Sequence, residues 1–212
     1  DYFDVKYGTD EANTEYFNAG LNSKLLEGAQ LSGGSRAIEL GLITLKGTKS
    51  LARNMLIGAI LTASGLMYLS YSITESMSNA QNAAIIGVIG LFLGYFYTAK
   101  PIRLVSRRGL GEIAIFLAFG PLLTLGSLFA ISTSTIELFS VDFYNAIYLG
   151  IPLGLLTTNI LYINQFPDAN SDSKTGKNHL VVTLGKKIAR WGYLIILLGA
   201  FLSSFMLLDI FS

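Results

Sequence analysis

Five apolar runs, at about 51–73, 83–99, 112–131, 143–165 and 188–211, constrain this chain more than any other feature. Each approaches the ~20 residues that an α-helix needs to cross the hydrocarbon of a bilayer. Strands are excluded by the same argument, because an open sheet leaves backbone N–H and C=O groups unsatisfied in lipid. Charged residues make up 14% of the chain, against roughly 25% in a soluble domain. Hydrophobic residues make up 51%, and the mean hydropathy is +0.52. The class that follows is an all-α membrane protein with five spans and no soluble domain.

The charges sort by connector. Lys6, Lys24, Arg36, Lys46, Lys49 and Arg53 lie before or at the start of the first run. Lys100, Arg103, Arg107 and Arg108 lie in the connector 100–111, and Lys174, Lys177, Lys186, Lys187 and Arg190 lie around 166–190. These account for all 15 Lys and Arg residues. The intervening connectors, 74–82 and 132–142, hold none and carry Glu75, Glu137 and Asp142. Spans that alternate in direction therefore gather every basic residue at one face. The positive-inside rule makes that face cytoplasmic. Residues 1–50 read as a polar loop with short helical pieces, broken at Gly33-Gly34-Ser35.

Several chemistries are excluded at once. The chain has no cysteine, so it has neither disulfides nor thiol catalysis. Its single histidine, His179, rules out a multi-histidine metal site. A net charge of +1 gives no reason to expect a nucleic-acid partner.

The acidic residues point elsewhere. Asn164, Asp168 and Asp172 follow the fourth run at i, i+4 and i+8. On a helix that continues past the membrane edge, and through Pro167, they project from nearly one face. Two carboxylates one turn apart repel each other unless a cation lies between them. Magnesium is commonly held by one or two carboxylates plus substrate phosphates. Lys174 and Lys177 follow at once and could meet a phosphate. Asp1 and Asp4, also one turn apart, repeat the arrangement at the start of the chain.

Two aspartate groups in this order, each at a membrane edge, resemble the UbiA superfamily of intramembrane prenyltransferases. The segments that carry the resemblance are Asp1-Tyr-Phe-Asp4-Val-Lys6-Tyr-Gly8-Thr-Asp10, Tyr97-Thr-Ala-Lys-Pro101, Arg108-Gly-Leu-Gly-Glu112 and Asp168-Ala-Asn-Ser-Asp172-Ser-Lys-Thr-Gly176-Lys177. They are similar to the branch that prenylates 1,4-dihydroxy-2-naphthoate in menaquinone synthesis. The resemblance implies a multi-helix transmembrane bundle of about nine spans, five of them in this fragment. Residues 1–212 are then expected to form a single prenyltransferase domain, incomplete at both ends. The implied partners are a polyprenyl diphosphate, an aromatic acceptor and the lipid bilayer, and the implied cofactor is Mg2+. The location that the resemblance implies is a bacterial or archaeal inner membrane.

Carried over residue by residue, the resemblance makes Asp1, Asp4, Asp168 and Asp172 the catalytic, magnesium-binding set. Asp10 is a further candidate ligand, although the compact family spacing places the third acid at position 8, which is Gly8. Asn164 is either a magnesium or diphosphate ligand or a helix cap. Lys177, Lys174, Arg36, Lys100 and Arg103 are candidate diphosphate contacts, though topology alone would also supply basic residues there. Glu112 is expected to cap the N-terminus of its own helix. Tyr95 and Tyr97 are read as interface aromatics, with pocket lining as the alternative. Asn178-His179 stands where the family commonly carries Arg-Thr, which puts a family arginine contact in doubt and leaves His179 open to a base role. Other acceptors within the superfamily are the nearest alternative function. A cation-binding transporter is the rival of a different class, and it predicts acids deep within the spans.

Overall fold

The computed structural model describes residues 2–6, 37–38 and 41–208. A short helix, α1 (Tyr2–Lys6), contains Asp4 by its backbone. The Asp4 side chain, and Asp1, Asp10, Lys24 and Arg36, lie outside the described residues.

Helix α2 (Leu45–Thr74) opens on Thr44, whose hydroxyl accepts from the Gly47 N–H at 3.0 Å. Its apolar length ends at Glu75, which takes a left-handed φ of 51° and reverses the chain. Ser76 then caps α3 (Met77–Thr98) by accepting from the Ser78 N–H at 3.2 Å. The sequence places a connector over 74–82, but the chain turns in two residues and Ser78, Asn79 and Gln81 are helical. Asn79 explains the difference. It is 0% exposed, its Nδ2 donates to Ser134 O and its Oδ1 accepts from Ile136 N–H, both at 2.9 Å. A polar side chain in this helix thus fixes the loop after the third span.

The third span is two helices, α4 (Leu110–Phe119) and α5 (Pro121–Ile131), broken at Gly120. Helix α6 (Val141–Lys174) follows, capped by Ser140, whose hydroxyl accepts from Phe143 N–H. Its 34 residues span about 51 Å at 1.5 Å each. That exceeds the ~30 Å hydrocarbon thickness, so its last turns stand beyond the membrane edge. Pro152 and Pro167 lie inside it and remove two ladder hydrogen bonds, yet the helix runs through both, as expected for Pro167. A one-turn-long helix, α7 (Leu180–Leu184), leads through Gly185 into α8 (Lys186–Met206).

Helix α6 is the axis of the bundle, with α4, α5 and α8 packed on it; α3 packs on α5, and α2 on α3. Backbone approach is closest where α6 crosses the α4–α5 break. A Cβ on Gly120 would lie 2.6 Å from Gly150 O, and one on Gly154 would lie 2.5 Å from Phe116 O. The Gly150-x-x-x-Gly154 pair is the small-residue spacing by which membrane helices come into backbone contact. On the other side of α6, the fully buried Tyr162 lies over Gly192 of α8, whose added Cβ would meet the Tyr162 hydroxyl at 2.5 Å.

Five stretches are long and apolar enough to cross a membrane: α2, α3, α4 with α5, α6 and α8. Their outer faces expose large apolar side chains such as Met55, Leu61, Val88, Ile160 and Phe205, as lipid contact requires. Among the described residues there is no strand. Successive spans alternate in direction. One end of the bundle therefore holds the start of α2, the 99–109 connector and residues 175–185, where the described basic residues cluster. The opposite end holds Glu75, Glu137 and Asp142.

Candidate active site

The end of α6 builds the site by a local device. Gly176 is left-handed, at φ 73°, and turns the chain back on the helix. Lys177 N–H donates to Asp172 O at 2.9 Å, and Gly176 N–H donates to Ser173 O at 3.3 Å. This is the six-to-one and five-to-two pairing of a Schellman C-cap, which satisfies carbonyls the helix leaves open. Its consequence reaches the side chains. The reversal brings Lys177 Nζ to 3.7 Å from Asp172 Oδ1 and His179 Nε2 to 3.1 Å from Asp172 Oδ2. Asp172 is only 8% exposed, so its charge is out of bulk water and depends on such partners.

His179 is 1% exposed and caps α7, its Nδ1 accepting from Val182 N–H at 3.4 Å. Val181, beside it, is fully buried among Tyr162, Ala169 and Ala189, and this anchors the returning segment against α6 and α8.

A second anchor comes from the start of α4. Glu112 is 4% exposed, and its Oε1 accepts from Gln165 Nε2 at 3.0 Å and from Leu180 N–H at 3.1 Å. The carboxylate lies in the first turn of its own helix, as expected. The cap it forms, however, is on α7, because Leu180 is the first residue of that helix. A third tie comes from the 99–109 connector. Arg103 Nη1 donates to Thr175 O at 3.3 Å, a cation at the negative end of the α6 dipole. Phe3 of α1 meets Tyr95 edge-on at 6.0 Å between ring centroids. The helix that contains Asp4 therefore lies by the C-terminal end of α3, at the same basic end of the bundle.

The family model described as the UbiA prenyltransferase family matches residues 42–211. The chain belongs to that family. It is 31% identical over 150 residues to the 1,4-dihydroxy-2-naphthoate octaprenyltransferase of Haemophilus influenzae, covering 71% of this chain and 45% of the relative. It is 30% identical over 166 residues to the protein of the same name from Escherichia coli K12, covering 78% and 50%. The 2-carboxy-1,4-naphthoquinone phytyltransferase of Synechocystis is 32% identical over 126 residues, covering 58% and 36%. The chain spans half or less of the length of these relatives. No solved structure matches it. The match gives no support to a transporter.

Within this UbiA chain, the residues singled out by sequence separate into groups. Asp172, Lys177 and Arg103 are gathered around the end of α6. Asp168 is half-buried one turn earlier. Asn164 is exposed and lies mid-helix, so it caps nothing. Lys174 and Lys100 are exposed at the same end of the bundle. Tyr95 is exposed, as an interface aromatic should be, and Tyr97 is half-buried. Among the described residues, no three His, Asp or Glu side chains come together as a metal site. Sequence reasoning missed the partners of Glu112 and Asn79. The available clue was a strongly polar residue close to or inside an apolar helix, where it must find a hydrogen-bond partner.

Proposed function

We propose that the Asp168–Lys177 end of α6 holds the diphosphate head of a polyprenyl diphosphate, and that the protein transfers the prenyl group to an aromatic acceptor. The preferred acceptor is 1,4-dihydroxy-2-naphthoate, the substrate named in two of the relatives, on the route to menaquinone. One observation carries the reading: in a UbiA chain, a buried aspartate with a lysine beside it stands at the basic end of a helix bundle.

The donor set suits magnesium. Asp168 and Asp172 offer hard oxygen ligands one turn apart, with Asp1 and Asp4 proposed as the opposing pair. The Lys177 ammonium stands 3.7 Å from Asp172 Oδ1, too far for a hydrogen bond, so the oxygen is not committed to it. When bound, the metal supplies charge neutralisation on the diphosphate. The chain's own residues do the rest. Lys177, with Lys174, Lys100, Arg103 and Arg36 as further candidates, attracts and orients the head group. The apolar helix faces receive the tail and keep water from the allylic cation left when the C–O bond breaks. The electron pair of that bond leaves with the diphosphate. The electron-rich ring carbon that bears the carboxylate attacks the cation, and the carboxylate then leaves as CO2, the electron pair of its C–C bond returning to the ring. The basic end is proposed to face the cytoplasm of a bacterial or archaeal inner membrane.

The test is product analysis of the purified protein with labelled prenyl diphosphate and a panel of acceptors. A prenylated naphthalene product that disappears with chelator is expected. Failure to prenylate any aromatic acceptor would defeat the reading.

A further inference from the structure

Among the described residues, two side chains hold the Asp172 carboxylate, and the two holds differ in kind. Lys177 approaches Oδ1 at 3.7 Å on a flexible stem. His179 meets Oδ2 at 3.1 Å from a ring that is buried and held at its other nitrogen as well. The ring's other nitrogen fixes its protonation. Nδ1 accepts from Val182 N–H, so the proton of the neutral ring sits on Nε2, aimed at the carboxylate. The α7 cap, the tautomer and the Asp172 rotamer are thus set by one side chain. Both ring nitrogens are engaged with protein partners, Nε2 with Asp172 and Nδ1 with Val182.

We propose that His179 is a positioning residue for divalent-cation binding. Its Nε2–H pins Oδ2 of Asp172 and so presents Oδ1 in one orientation on the Lys177 side. This rests on the reading of Asp172 as a metal ligand. Hydrogen-bond partners of ligating carboxylates orient them, and their loss costs about 10–100-fold in metal affinity.

A histidine kept solely as a helix cap would have no effect on the metal, and two substitutions separate the roles. His179→Asn keeps an oxygen near the position of Nδ1, among the best caps known, and is too short to reach Asp172. His179→Gln places its amide nitrogen near the position of Nε2 and restores the donor. Mn2+ binding is measured by electron paramagnetic resonance on the protein in nanodiscs, with inorganic pyrophosphate as the head group and thermal unfolding as the control on folding. His179→Asn should weaken Mn2+ binding about 10–100-fold and unfold at a somewhat lower temperature, since Asp172 Oδ2 loses its donor, but still in one cooperative transition, and His179→Gln should recover most of the Mn2+ affinity. Wild-type affinity in His179→Asn, equal losses in both variants, or no Mn2+ binding by the wild type overturns the proposal. Failure of the transferase reading has a different mark: no prenyl product forms with any acceptor while the ordering of Mn2+ affinities persists.

Discussion

Each aspartate of the second motif has its own surroundings, and this sets what its loss should do. Asp168→Ala and Asp172→Ala are each expected to abolish turnover. Asp168 is half-buried near the polar end of the helix, where little apolar packing is lost, so its variant should still fold. Asp172→Ala also strands the buried His179 donor, a loss of about 1–3 kcal/mol. Turnover assays beside thermal unfolding in detergent check both. Glu112→Ala should be the most destabilising of these changes. It removes the acceptor for two donors at once, each worth about 1–3 kcal/mol when left buried and unpaired. An unfolding temperature equal to the wild type would show that the carboxylate does not anchor α7. The acid pair was legible in the sequence, because a spacing of four is a helical repeat. The partners of Glu112 were not: they lie 53 and 68 residues away, and no local pattern records such a pairing.

The five spans were legible, since hydropathy over a ~20-residue window reports the bilayer directly, but the helices begin as much as six residues before the apolar runs and α6 ends nine after its run. The break at Gly120 was not. Hydropathy runs on through it, and only the Gly120-Pro121 pair marks it. What the break does depends on α6, which supplies Gly150 and Gly154 to the crossing. Gly154→Ala puts a methyl 2.5 Å from Phe116 O and 3.0 Å from Gly120 Cα, so the helices must part. A loss of about 1–3 kcal/mol is expected, as for other overpacked cores. Gly65→Ala in α2, where an added methyl meets nothing within 4 Å, should be neutral or mildly stabilising through helix propensity. Unfolding in a detergent series distinguishes the two; equal effects would mean that the crossing is not closely packed.

Across the molecule, charge divides the two ends of the bundle, and the division makes a topological prediction. A cysteine introduced by Ser173→Cys should react with a membrane-impermeant thiol reagent only from the cytoplasmic side. One introduced by Ser134→Cys should react only from the other side, since both positions are exposed at opposite ends. Labelling in the reverse sense in intact cells would invert the orientation and move the site with it. The turn at Gly176 also has a consequence in time. Asp172, Lys177 and His179 lie within eight consecutive residues, and closing so short a loop costs little chain entropy. The cap can therefore form while α8 is still being synthesised. The tie from Glu112 to Leu180 must wait until α4 and α6 lie side by side. The Asp172 turn therefore depends on neighbours in sequence for its shape and on the packed bundle for its anchorage, so a nascent chain can carry it shaped but loose until α4 arrives.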